Sequence, residues 1–244
     1  MTDEIALLVP SLGRPQNAER LIQAWEATTE GRSDLWFFLD DNDPTVPDYF
    51  DVLRHTGARI EVGPPARLVE WTNRAAVDRM YRYAVLGSIG DDHVPETAGW
   101  ETAIMDAVVD LGGVGIVYGD DAIQHEAIPT ACFMTSNIVR ALGWMAPPTL
   151  EHLFCDDAWR AISDAAGCRR YLPDVKITHY HPTVCRAPND ATYERGNSVD
   201  VWARDRAGYE AWLADGLEVA AAKVRALRAS IGGRTVTTSP SRSA

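Results

Sequence analysis

Residues 34–44 read DLWFFLDDNDP, an apolar run that passes straight into an acidic loop containing Asn and Pro. Strict alternation of apolar and polar residues is missing. The run therefore fits a strand buried on both faces, as in a parallel sheet covered by helices. Its carboxylates fall just past the strand's carboxyl end. The arrangement recurs in AVLGSIGDD (84–92) and VGIVYGDD (114–121), and IALLVP (5–10) is a similar run ended by Pro and followed by the turn SLGRP. Open α/β sheets bind ligands along that edge.

Helical spacing fills the intervals. Pro15 suits the first turn of a helix running through about residue 29. YFDVLRHTG (49–57) reads as a short helix, RIEVGPP (59–65) as a third strand, and VEWTNRAAVDRMYRYA (69–84) and GWETAIMDAVVDLG (99–112) as helices. Further on, ACFMTSNIVRALG (131–143) is a strand entering a helix, followed by a Pro-containing loop. DDAWRAISDAAG (156–167) is a helix, and YLPDVKITHYHP (171–182) a strand. Residues 199–230 are helical, with an apolar stripe that packs on the body or on a second copy, and GGRTVTTSPSRSA has the composition of a disordered tail. The expectation is an α/β fold with a mostly parallel central sheet flanked by helices over 1–198, a helical extension over 199–230 and a tail over 231–244.

Composition narrows the function. The chain has 244 residues, 46% hydrophobic and 24% charged, ordinary values for a globular protein. A net charge of −12 argues against a nucleic-acid partner, which needs a basic face. A few Arg, backbone N–H groups or a bridging metal still suffice for a small phosphorylated ligand. No apolar run approaches the roughly 20 residues that span a bilayer, so no integral membrane segment is expected. MTDEIALLVP has an acidic flank and no basic stretch of the signal-peptide kind, which points to the cytoplasm. Cys132, Cys155, Cys168 and Cys185 have no metal-finger spacing and are expected as reduced thiols.

Several clusters carry chemistry, each beside a plainer reading. In LDDNDP (39–44), Asp40 or Asp41 can accept hydrogen bonds from a nucleobase or ribose. Alternatively, Asp41 and Asp43 fit the nucleophile and acid of an aspartyl-phosphate hydrolase, and the plain alternative is a solvated turn. The hydrolase also needs a cation, usually Lys, between those acids and a later acidic pair; the first Lys is Lys176, so only an Arg can serve. In SIGDDHVPE (88–96), Asp91, Asp92 and His93 supply hard oxygen and borderline nitrogen ligands for Mg²⁺ or Mn²⁺, although an acidic pair alone is equally an exposed turn. THYHP (178–182) sets His179 and His181 on one face of a strand, as structural residues or as distant ligands of the same ion. Asp156 and Asp157 in FCDDAW (154–159) suit a helix start, or a general base for an acceptor hydroxyl. Arg14 and Arg67 are candidate phosphate contacts, and Trp144 a candidate stacking surface for a sugar acceptor or a core residue.

Taken in order, these segments resemble the family 2-type glycosyltransferases of the Rossmann-like GT-A fold. ALLVPSLGRP resembles the strand and loop that touch the nucleotide, which implies contacts from Pro10, Ser11 and Arg14. FFLDDNDP resembles the strand ending in the base-reading Asp, and GPPARLVEWTNRA the segment whose Arg, here Arg67, approaches the diphosphate. SIGDDHVPETAGW resembles the metal-binding D-x-D turn, FCDDAW the pair carrying the base, and ITHYHP the late His of the metal site. HYHP and the helical ending are most similar to small actinobacteriophage-type enzymes, which would place the chain in a host cytoplasm. The turn departs from strict D-x-D, so the ligands are Asp91 with His93, or Asp92 alone. Asp156 stands where Glu is usual, beside Asp157 as the implied base. The resemblance implies Mn²⁺ or Mg²⁺, a nucleoside-diphosphate sugar donor, a glycan or protein hydroxyl acceptor, and inverting transfer. The alternatives from other classes are the phosphohydrolase, a sugar nucleotidyltransferase, whose Gly-rich, Lys/Arg-containing loop PSLGRP lacks, and a nucleotide-sugar binder without turnover.

Overall fold

The computed structural model describes residues 4–184 and 186–235. Its eight strands are β1 (Ile5–Pro10), β2 (Ser33–Asp40), β3 (Arg59–Gly63), β4 (Val85–Ser88), β5 (His93–Pro95), β6 (Ile116–Asp120), β7 (Cys132–Thr135) and β8 (Arg169–His179). They form one sheet in the order β3-β2-β1-β4-β7-β6-β8-β5. The first four are mutually parallel, β7 runs against its neighbours, and β8 lies parallel to β6 and antiparallel to β5.

Both faces of the sheet are buried, as the unbroken apolar run in residues 35–39 requires. Along β1, Ala6 and Leu8 enter one core while Ile5, Leu7 and Val9 enter the other, and β2 divides Phe38 from Leu35, Phe37 and Leu39 in the same way. Burial of each such Leu or Phe contributes about 2 kcal/mol. The second core is closed by α1 (Pro15–Thr28), α2 (Val46–Leu53) and α4 (Trp100–Asp110), through residues such as Leu21, Trp25, Tyr49, Trp100 and Ile104. The first is closed by α3 (Leu68–Arg79), α5 (Ser136–Leu142) and α6 (Cys155–Ala166). Gly87 sits where β4 crosses the centre: a Cβ there would meet Leu7 at 2.9 Å and Phe133 at 3.0 Å.

The C-terminal stretch forms three helices, α7 (Ala191–Gly196), α8 (Val199–Asp215) and α9 (Leu217–Thr235), with α8 and α9 parted at Gly216. Trp212, Ala220 and Val224 belong to the first core, so the apolar stripe packs on the body of the same chain. Cys132, Cys155 and Cys168 are buried free thiols. Cys185 and residues 236–244 of the expected tail lie outside the described residues. No helix among the described residues is long and apolar enough to cross a membrane.

Candidate active site

A cavity of about 330 Å³ opens at the carboxyl edge of the sheet, in the size range of small-molecule sites. It lies where the strand order turns from β2 through β1 to β4, the position at which an α/β sheet parts its loops. Ten of the anticipated residues line it. Pro10, Ser11 and Arg14 come from the end of β1, Asp40 from β2, and Asp91, Asp92 and His93 from the turn after β4; Asp156, His179 and His181 come from α6 and the end of β8.

The β5–β8 ladder explains why the turn after β4 and the late His pair meet. His93 is the register partner of His179, and the Tyr180 N–H donates to the Asp92 carbonyl at 2.8 Å. The His93 and His179 rings stack at 4.1 Å with 18° between planes, as directly opposed residues on one face do. Asp92 Oδ1 lies 3.3 Å from His93 Nδ1 and 3.5 Å from His179 Nε2. Burial works against the Asp92 charge, but a hydrogen bond from His179 and the neighbouring His93 more than reverse it and hold the carboxyl well below the usual range. Burial, aided by His179, lowers His93, so its imidazole is neutral at neutral pH. One carboxylate and two imidazoles thus offer ligand atoms within 4.8 Å of one another.

These residues fit a divalent ion, with unequal shares. His93 Nδ1 already accepts from the Gly90 N–H at 3.0 Å, and its buried Nε2 has no hydrogen-bond partner. Nearly parallel stacked rings also aim their lone pairs side by side rather than at one point. Asp92 and His179 are therefore the better-placed ligands, with His93 backing them. His181 stands edge-on to His179 at 4.9 Å.

Asp91 faces inward. It accepts from Ser11 Oγ at 2.5 Å, Asn17 Nδ2 at 3.1 Å and Arg14 at 3.4 Å. Burial and the neighbouring Asp92 push it up to about 6, against Arg14. Arg14 in turn donates to Asp190 through Nε at 2.8 Å and a terminal nitrogen at 2.6 Å. Burial alone would depress Arg14, but Asp190, Asp91 and Asp92 together raise it, so it stays charged. Asp190 also caps α7, accepting from the Tyr193 N–H at 2.8 Å, and Thr192 Oγ1 donates to the Leu12 carbonyl at 2.9 Å. In this way α7 is tied across the cavity mouth.

Across the cavity, Asp40 accepts from the Trp71 indole at 2.7 Å and the Ala66 N–H at 3.2 Å, which turns its carboxylate toward the cavity wall. Asp156 is pushed up to about 6 by burial and by the charge of Asp157. The loop before it is held by Asp205 of α8, fully buried, which accepts from the backbone N–H groups of Glu151, His152 and Leu153 at 2.6–2.8 Å.

Five anticipated residues are not among the lining. Asp41 is exposed, while Asp43 is buried and accepts from the Gly13 N–H at 2.8 Å and Thr45 Oγ1 at 2.7 Å. The Arg67 side chain is 56% exposed and lies 3.6 Å from Glu151. Asp157 points out of the cavity, 3.6 Å from Arg160, and Trp144 packs edge-on against Trp212 at 6.5 Å. Sequence reading missed His152, Phe154, Trp71 and Tyr193, which line the cavity, and Asp190 and Asp205, which hold its walls. Only the helix-capping pattern of Asp190 was legible beforehand.

At the level of sequence the chain matches no family model and no curated protein. Its structure matches TarS from S. aureus in complex with UDP-GlcNAc at a TM-score of 0.63 and 10% identity, over 95% of this chain and 73% of that one. The fold is that of the GT-A glycosyltransferases. The mannosyltransferase PcManGT from Pyrobaculum calidifontis, in complex with GDP-Man and Mn²⁺, gives 0.58 and 12% over 96% and 81% of the two chains. Glucosyl-3-phosphoglycerate synthase from Mycobacterium tuberculosis, with Mn²⁺, UDP and phosphoglyceric acid, gives 0.55 and 11% over 84% and 78%. Against other TarS structures the match covers 71% of this chain but only 36% and 59% of theirs.

Proposed function

We propose that the chain is a divalent-metal-dependent glycosyltransferase that moves a sugar from a nucleoside-diphosphate donor to an acceptor hydroxyl with inversion. The observation that carries this reading is the meeting of Asp92, His93 and His179 at the switch point of the sheet, in one cavity with Asp156. The solved structures of like fold that hold Mn²⁺ with GDP-Man or UDP support it.

Asp92 and His179 would hold Mn²⁺ or Mg²⁺, and the ion would supply positive charge to the departing diphosphate. Pro10, Ser11 and Asp40 line the side suited to the nucleoside, with Asp40 the acceptor for a base or ribose donor group. Arg14 and Arg195 both line the cavity, and Arg14 meets the diphosphate by exchanging Asp190 for phosphate oxygens. Asp156 takes the acceptor hydroxyl's proton as that oxygen attacks the anomeric carbon on the face opposite the leaving group. A value near 6 leaves it mostly ionised at neutral pH while keeping useful basicity. The base thus falls to Asp156 rather than to Asp157.

The test is a thermal-shift screen of UDP-, GDP-, dTDP- and CMP-sugars with and without Mn²⁺. Stabilisation by one donor class that requires the metal is expected, because ligands that bind only the folded state raise its melting temperature. No shift with any donor would overturn the reading.

A further inference from the structure

We propose that the outward face of α8 is the interface of a two-fold homodimer, in which α8 packs antiparallel against α8 of a second copy. The inference concerns assembly and holds whether or not the chain transfers sugar. At about 100° per residue, the exposed Val199, Trp202, Ala203, Ala207, Leu213 and Ala214 fall within a sector of about 140°. A surface helix ordinarily turns charged and polar residues to water. Here the sector holds only two charged residues, Arg206 and Glu210, and they pair with each other at 2.8 Å. The inner face of the same helix is already taken, since Val201, Asp205 and Trp212 are buried against the body. Val199, Trp202 and Leu213 remain 82%, 46% and 36% exposed. Single exposed apolar residues are ordinary, but a contiguous apolar face marks an interaction surface.

The face is complementary to itself. Val199, Trp202, Arg206, Tyr209 and Leu213 follow the alternating three- and four-residue spacing of helices that pack along a seam. A two-fold axis between Ala207 and Gly208 sets Trp202 against the partner's Leu213, and Arg206 against the partner's Tyr209 and Glu210. Each of these contacts is then made twice, as an isologous interface requires. Charge selects the antiparallel direction. It places each Arg206 guanidinium beside a second Glu210 carboxylate, whereas parallel packing in register would set Arg206 on Arg206 and Glu210 on Glu210. With 17 residues, α8 is about 26 Å long, so the pair buries an area at the low end of specific interfaces, below about 1,200 Å². Such an area suits a reversible dimer rather than an obligate one.

The experiment is sedimentation velocity on the full chain, from micromolar to several hundred micromolar. Each chain carries a charge of −12, so the runs use about 0.15 M salt, where repulsion is screened beyond about 8 Å. The sedimenting mass should move from one chain toward two, with a dissociation constant on the order of 10 µM. Trp202→Glu and Leu213→Glu should each weaken the dimer by about tenfold or more. Both positions are exposed, so circular dichroism should be unchanged, and Leu213→Glu keeps the test valid if Trp202→Glu folds poorly. Tyr81→Glu, at an exposed ring elsewhere, should leave the dimer intact. Arg206→Glu and Glu210→Arg should each dissociate the dimer alone, and their equimolar mixture should restore it, because only the mixed pair sets opposite charges across the seam. A single chain at every concentration, a dimer indifferent to both Trp202→Glu and Leu213→Glu, or a mixture that stays dissociated overturns the proposal. So does Trp202-dependent binding of a persistently monomeric chain to phosphatidylcholine vesicles, which would give the face to a lipid surface.

Discussion

Arg14 and Asp190, 176 positions apart in the chain, are joined by two charge-assisted hydrogen bonds of 2.8 and 2.6 Å across the mouth of the cavity. The pair does two jobs at once. It anchors α7 as one wall, and it occupies the guanidinium that a diphosphate would need. Asp190→Ala should therefore speed amide exchange in residues 190–196 and tighten binding of the free nucleoside diphosphate by several-fold at low salt. Exchange mass spectrometry and calorimetry read the two effects. Weaker binding would show that Asp190 orders the site more than it competes.

The carboxyl of Asp156 gives opposite signs for activity and stability. Its value of about 6 lies above the ordinary 3.8, so the folded state favours the protonated form. Stability from this group is present below the unfolded value and is lost as pH rises through about 6. The activity of a base runs the other way, rising through the same window. Asp156→Asn should abolish transfer yet raise stability at pH 8 by about 3 kcal/mol, since each tenfold change in proton affinity is worth about 1.4 kcal/mol. A denaturant melt at pH 4 and pH 8 checks this, with the gain confined to the higher pH. Asp157→Asn should keep most of the activity.

The contrast between these neighbours shows what a sequence can and cannot carry. Apolar runs ending in acids at 34–44 and 84–92 specified the parallel strands and their ligand-binding edge, because burial on both faces leaves a one-dimensional signature. Ten of the fifteen anticipated site residues line one cavity. Asp156 and Asp157 are adjacent on a helix, about 100° apart, and which one faces the cavity depends on how α6 docks. β5 has only His93, Val94 and Pro95, too short to leave a period, yet it is the ladder that stacks His93 on His179. Arg67 failed to reach the cavity because Glu151 and solvent hold it, a long-range fact.

Asp205 shows how the C-terminal helices serve the site from behind. Its carboxylate accepts from three consecutive backbone N–H groups, and the residue is fully buried. Asp205→Ala leaves those donors without partners and should cost about 3 kcal/mol. Local exchange at Glu151, His152 and Leu153 should rise first, ahead of global unfolding. Asp200→Ala, an exposed residue of the same helix, should do neither.

The proposed metal site offers the sharpest separation of roles. Asp92 is held ionised by its two imidazole neighbours, His179 faces the same oxygen through Nε2, and His93 has its Nδ1 engaged by Gly90. Mn²⁺ binding to the full chain, followed by electron paramagnetic resonance, should fall beyond measurement in Asp92→Asn and His179→Ala. His93→Asn should weaken it by only about 10- to 100-fold, the usual effect of a residue that orients a ligand. If His93→Asn matched His179→Ala in severity, the stacked ring would have to turn and ligate directly, and the Gly90 N–H would have to find another acceptor.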